Sequence, residues 1–266
     1  MIRTLDSAWA KVDRAKEHLA ELKSLVDEFH TLHRKVIIFD YDSNAGKYFA
    51  NVTFPDEPPL KFSVIVGDIA HNLRSALDHL AFQFDSALPA SRKFPVYSEK
   101  GKLLKALKQG LSQRFPRRAW AIIDKQQPCH YGDHYYKRGI YRLHRINIRD
   151  KHQLLNLICT ILPLPRASYV KKGRCGIKLT LIPTVPPLPL RVLPTFRVKP
   201  GPIRVTARTP YKGPNFKVQV KFAFDVGIDE PDFVYLGPAI TFVEQMVNAT
   251  EKILQSFVRA YPSLKR

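Results

Sequence analysis

The sequence predicts an α+β fold: a helical bundle with an inserted small antiparallel β-sheet and a C-terminal helix that returns to the bundle. Three observations carry that expectation. Helix-spaced apolar residues recur over long stretches before residue 160, the chain turns to prolines and short alternating runs beyond Thr160, and helical spacing resumes near Pro238. The expected units are residues 1–160, a helical bundle with an N-terminal hairpin; 161–234, a basic antiparallel sheet; and 235–266, a helix packing on the bundle.

Leu5, Trp9, Val12, Leu19, Leu22, Val26 and Phe29 step by three, four or seven, so residues 6–34 read as one long amphipathic helix with Asp6 as its N-cap. Residues 35–41 and 47–54 are rich in β-branched and aromatic side chains on either side of Ser43-Asn44-Ala45-Gly46, which is a hairpin pattern. Pro55, Pro58 and Pro59 then break the chain before a central helix over residues 66–84. In that helix Ile69, Leu73, Ala76, Leu77, Leu80 and Phe84 form the buried stripe, while Asp68, His71, Ser75 and His79 line the opposite face. Between Lys61 and Arg92 the only Lys or Arg is Arg74, so this polar face is expected to be covered rather than solvated. Buried polar groups must be hydrogen-bonded, which makes the stretch either a structural network or a site.

Residues 99–109 and 116–126 read as shorter helices, Pro116 suiting a first helical turn. Gly132 and Gly139 bracket a loop before residues 140–158, an apolar helix holding His144, Asn147, Asp150, Lys151 and His152. Farther on, Phe216, Val218, Val220, Phe222, Phe224 and Val226 alternate with Lys217, Gln219 and Lys221 as a half-buried strand does. Residues 177–182, 190–198 and 203–207 are its expected partners, with Lys199-Pro200-Gly201-Pro202 as a turn. Ile240, Val243, Val247, Leu254 and Phe257 space the last helix, residues 238–261.

The chain of 266 residues is long enough for a substantial core, and its formal net charge is +20. Placement matters more than size. From Lys151 to Lys221 there are fourteen Lys and Arg, and no Asp or Glu lies between Asp150 and Asp225. A region of single sign attracts polyanions, which points to RNA, DNA or anionic lipid. The three cysteines, Cys129, Cys159 and Cys175, fit neither a disulfide framework nor a paired zinc site and suggest reduced thiols. The charged N-terminus lacks the apolar core of a signal peptide, and no run of about 18 apolar residues follows. A cytoplasmic protein with no membrane segment is expected.

All nine histidines lie between His18 and His152, so imidazole chemistry belongs to the first part of the chain. Asp68-x-x-His71, Asp78-His79, Asp133-His134 and Asp150-x-His152 could supply metal ligands from facing helices. Bundle metal sites normally use Glu-x-x-His, which is absent here, so the leading expectation is no metal and no cofactor. A metal-binding bundle enzyme using His71, His79, His144 and His152 is one alternative. Tyr135, Tyr136 and Tyr141 near Lys137, Arg138 and Arg142 mix aromatic and basic groups, as RNA-stacking surfaces and ordinary bundle cores both do. No Walker loop, nucleophile elbow or dinucleotide fingerprint occurs.

The segments EPPLKFSVIVGDIAHNLRSALDHLAFQ, FPVY from Phe94, QQPCHYGD from Gln126 and LHRINIRDKHQLL from Leu143 together resemble a family of uncharacterised bacterial proteins. The resemblance covers residues 1–160 and implies relatedness without an activity; Cys129 and Gln153 depart from the family pattern. A looser resemblance links Arg74-Ser-Ala-Leu-Asp-His79 to the Arg-x4-His signature of HEPN-type helical domains, many of them metal-independent ribonucleases that pair as dimers. It implies that Arg74 clamps the scissile phosphate, His79 moves the proton of the ribose 2′-hydroxyl, and Ser75 or Asn72 orients them. Ser75 departs from that signature, and Arg74 and His79 would sit roughly 140° apart on an unbroken helix.

The functional expectation is a cytoplasmic basic protein that binds RNA and cleaves it through Arg74, His79, Ser75 and Asn72, as a toxin or defence effector and a homodimer. Asp68, His71, Asp78, His144, Asn147, Asp150, Lys151 and His152 form its supporting polar network. Lys171, Lys172, Arg174, Lys217 and Lys221 hold nucleic acid. The competing expectation is a non-enzymatic binding or scaffold protein, with Arg74 paired to Asp78 at i,i+4 and His79 bonded between helices.

Overall fold

The computed structural model describes residues 5–33, 35–53, 58–85, 93–153, 155, 157–171, 202–207, 216–228 and 238–264. The chain divides into two compact units: Met1–Ser24, Leu60–Asn156 and Ala239–Arg266 form the first, Leu25–Pro59 and Leu157–Pro238 the second.

The first unit is helical. Helix α1 (Asp6–Leu32) begins at Asp6, an acid in the first turn where the helix dipole favours it. Its residues Val12, Leu19 and Leu22 are buried, as is Leu5 just before it. Helix α2 (Leu60–Phe84) starts six residues earlier than the sequence suggested, directly after Pro59, because Phe62 and Ile65 extend its apolar stripe into the core. The expected stripe, Ile69, Leu73, Ala76, Leu77, Leu80 and Phe84, is buried throughout. The opposite face is not covered as expected: Asp68 and His71 are exposed, and Ser75, Asp78 and His79 are half-buried. Short polar side chains keep that face soluble without lysine.

Helix α3 (Lys100–Lys108), a 3-10 turn (Leu111–Arg114) and α4 (Arg117–Lys125) follow, Pro116 standing at the N-cap of α4. A kinked 3-10 segment (Pro128–Lys137), with Gly132 at φ 51°, leads into α5 (Gly139–His152). The helix expected to run to residue 158 stops at His152, where Gln153 turns to extended backbone, and Leu157–Lys171 forms a strand instead. Apolar periodicity could not separate the two, because a short apolar run such as LNLICTIL suits either state and β-branched residues tip it toward strand. Helix α6 (Ala239–Ala260) rejoins the bundle, burying Phe242, Val243, Met246, Leu254 and Phe257. Lys16 and Lys23 of α1 pair with Glu251 and Glu244 of α6, and Lys61 of α2 pairs with Glu21 of α1 at 2.8 Å. These pairs are partly exposed and contribute little beyond orientation.

The second unit contains β1 (Lys35–Asp42), β2 (Lys47–Thr53), β3 (Leu157–Lys171), β4 (Pro202–Ala207) and β5 (Phe216–Ile228). They pair antiparallel in the order β3-β5-β1-β2-β4. The β1–β2 turn is closed by Asp42, whose Oδ1 accepts from Asn44 N and Ala45 N at 3.0 Å, with Gly46 at φ 61°. The hairpin is thus the middle of the sheet, paired with β5 and β4, and not an appendage of the bundle. Residues 161–234 are correspondingly not a self-contained inserted sheet, because their strands pair with β1 and β2. The expected strands at 177–182 and 190–198 lie outside the described residues.

Gly139 marks the closest approach of α5 to α6: a methyl group there would lie 2.5 Å from Gln245 O and 2.7 Å from Ala249 Cβ. Alanine for glycine in a helix normally stabilises; here the backbone cannot yield. Gly139→Ala is therefore expected to destabilise the protein by about 1–3 kcal/mol, read as a lower urea midpoint at unchanged m-value. A gain in stability would refute the close packing.

Candidate functional site

The polar residues of α2 and α5 meet along an antiparallel seam, and the seam holds two separate groups. The first is centred on Arg74. Its Nη2 donates to Asp78 Oδ1 at 2.8 Å and to the Phe94 carbonyl at 2.6 Å, while its Nε reaches Asp78 Oδ2 at 3.4 Å. Asp78 Oδ1 also accepts from Phe94 N at 2.9 Å. One turn of helix thus supplies both a donor and an acceptor to a single extended residue, and the side chain of Phe94 is fully buried beside them. The i,i+4 ion pair is the structural arrangement weighed in the sequence, now with a backbone partner.

The same extended segment is held again one and three residues on. Gln127, which is fully buried, donates through Nε2 to Pro95 O and Ile123 O at 3.0 Å each and accepts from Tyr97 N at 2.9 Å. Cys129 N donates to Tyr97 O at 3.0 Å. A segment without secondary structure of its own has its buried backbone groups satisfied by side chains and a neighbouring loop, as burial requires.

His144, half-buried on α5, faces this group. Burial, then the charges of Arg74 and Arg145, push its imidazole down from 6.5 to about 4, against a smaller opposing effect of Asp78. The second group lies one to two turns away. Asp150 of α5 packs against Gly67, where a methyl group would come within 2.6 Å of its Cγ. Burial, then the charge of Asp68, raises the Asp150 carboxyl, and His71 works against the rise.

Arg74 and His79 do not converge. Helix α2 runs unbroken from Leu60 to Phe84, so the two remain roughly 140° apart around its axis. Asn72 also turns elsewhere, donating to Asp68 O at 2.9 Å and accepting from Lys11 Nζ of α1 at 3.4 Å. Ser75 is half-buried. Arg74 Nη1, His79 Nδ1 and Asn147 Oδ1 are buried with no hydrogen-bond partner among the described residues. Lys151 and His152 are exposed at the end of α5 and join neither group. Among the described residues no set of three His, Cys, Asp or Glu side chains is arranged to hold a metal, so His71, His79, His144 and His152 do not form the alternative metal site.

Of the expected nucleic-acid contacts, Lys172 and Arg174 lie outside the described residues. Lys217 and Lys221 occupy alternate positions of β5, while register pairs Lys171 with Phe216, one position out of phase with them. Three buried groups escaped the sequence reading, Arg142, Asp85 and Gln127. Arg142, expected only as part of an aromatic and basic mixture, donates to Tyr136 O at 3.1 Å and to Gln245 Oε1, with Phe242 beneath its guanidinium at 5.0 Å. Asp85 is buried and paired with Arg114. The only signal for Gln127 was its place in the QQPCHYGD segment, since a neutral amide gives no charge pattern to find.

No protein-family model matches the chain, and no curated protein or solved structure is detectably similar to it. The family resemblances therefore rest on the four sequence segments alone. Two of those segments supply the clamps, Arg74 and Asp78 from one and Gln127 from another, and a third, FPVY, is what they hold.

Two outcomes are expected. Arg74→Ala and Asp78→Ala should each lower stability by about 2–4 kcal/mol, with the double variant losing clearly less than the sum; additive losses in urea denaturation would sink the clamp. The second concerns pH. Folded His144 stays neutral down to about 4, whereas an unfolded histidine protonates near 6.5, so the unfolded state binds more protons between those values. The stability that His144 contributes above pH 6.5 should drain away as pH falls toward 4, while Asp150, raised on folding, works in the opposite sense. Melting temperatures of His144→Gln should fall less over that window than those of the unmodified protein; equal slopes would rule the assignment out.

Proposed function

We propose that this protein binds RNA through basic surfaces and that the polar α2–α5 seam is a structural framework. The observation that carries the reading is the distribution of charge: a net +20, with fourteen cations and no carboxylate between Asp150 and Asp225. Charge of one sign over so long a stretch does nothing for folding, since self-repulsion disfavours the compact state, and it is the electrostatic footprint of a polyanion binder.

Cleavage through Arg74 and His79 has less support. A phosphate clamp needs an accessible guanidinium, and that of Arg74 is buried and engaged with Asp78 and Phe94. A general base must share the site with the clamp, and helix geometry separates His79 from it. The test uses labelled total RNA with and without EDTA, alongside His79→Ala. Expected are retarded complexes whose affinity falls steeply between about 50 and 200 mM salt, no shortening of the RNA, and unchanged binding by the variant. EDTA-resistant cleavage lost in a folded His79→Ala protein would replace this reading with the ribonuclease one. No binding at low salt would leave the scaffold reading.

A further inference from the structure

We infer that the helical unit carries an RNA-phosphate surface of its own on α3 and α4, separate from the single-sign run that follows Asp150; this rests on the RNA-binding reading and locates part of it. From Lys93 to Lys125 nine Lys and Arg stand against two carboxylates, and both carboxylates are already engaged. Glu99 holds Lys102 at 2.6 Å, and Asp124 lies 3.0 Å from His130 Nε2. Arg114 is taken up by Asp85. What remains is a concentration of cations without counter-charge: Lys100, Lys105, Lys108 and Arg117 are exposed and form no ion pair among the described residues.

The placement is ordered. On α3 Lys100, Lys105 and Lys108 fall within an arc of about 140°, with Lys105 and Lys108 on the side away from buried Leu103. Lys105 and Lys108 suit the C-terminal end of that helix electrostatically. Arg117 and Arg118 do not suit theirs, because they occupy the first turn of α4, which holds no acid and where the helix dipole disfavours positive charge. A bound phosphate backbone removes that cost and the mutual repulsion of the lysines together. Arg118 lies 5.9 Å from the Tyr261 ring, which ties the start of α4 to the end of the chain and gives the surface a fixed base.

The chemistry selects nucleic acid over a lipid surface. A membrane-binding helix needs a broad apolar stripe beside its cations, and the exposed residues of α3 include one large apolar side chain, Leu104. Separated fixed cations with little apolar surface match a chain of phosphates, where each contact releases a counterion.

The test is a salt titration of the full chain binding a labelled poly(U) oligonucleotide, comparing the unmodified protein with a variant carrying Lys100→Gln, Lys105→Gln, Lys108→Gln and Arg117→Gln. All four positions are exposed, and circular dichroism and melting check that the fold is kept. With about 0.7 counterions released per single-strand phosphate contact, the slope of log affinity against log salt should become shallower by about 3. A Lys217→Gln, Lys221→Gln variant serves as the comparison. An unchanged slope in the α3–α4 variant, with the unmodified protein still binding poly(U), overturns this surface and leaves the RNA-binding reading standing on the sheet. Failure of the unmodified protein to bind overturns both, and capture by phosphatidylserine vesicles in its place makes the partner a lipid surface.

Discussion

The interaction on which the helical unit depends is the grip of Arg74 and Asp78 on the backbone of Phe94. A phenylalanine side chain driven into the core drags its own amide and carbonyl out of water, and each would be costly if left unpaired. Asp78 accepts the amide proton and Arg74 donates to the carbonyl, and because the two side chains are one helical turn apart they neutralise each other as well. The ion pair is thus desolvated without leaving a net buried charge, the condition under which such a pair is tolerated.

The rest of the seam follows from that fixed point. With Phe94 held, Pro95 and Tyr97 fall within reach of Gln127, and Tyr97 in turn accepts from Cys129 at the start of the kinked segment. Gly139 then lets α5 approach α6 closely enough for Arg142 to reach Gln245. His144 is carried against the Arg74–Asp78 pair, where burial first and then the charge of Arg74 push its imidazole down. Of the polar residues that looked like catalytic machinery, Arg74 and Asp78 are taken up in packing an extended segment against the helices, and Asn72 is turned toward Lys11.

This division of labour bears on function. Buried cations are committed to architecture, and among the described residues the lysines of α3 and Arg117 and Arg118 of α4 are exposed. A protein that neutralised its surface charge internally would show carboxylates interspersed among these residues. Instead, among the described residues, the two acids of the α3–α4 region already lie against Lys102 and His130.

The sequence by itself determined the helices whose apolar stripes are long and regular: α1, the core face of α2 and α6 fall where periodicity places them. It also determined the hairpin turn, because Asp42 and Gly46 carry local geometry in their own side chain and backbone. Local chemistry can be read locally. The end of α5 was not legible, since an apolar run of that length satisfies helix and strand alike until a neighbouring strand pairs with it. The sharing of the sheet between β1–β2 and strands far along the chain was hidden for the same reason, pairing being a long-range choice. At the candidate site the residues were legible and their roles were not. Spacing revealed that Arg74 and Asp78 could pair, but only the tertiary structure put Phe94 against them, turned Asn72 toward Lys11, and left His79 on another side of the helix.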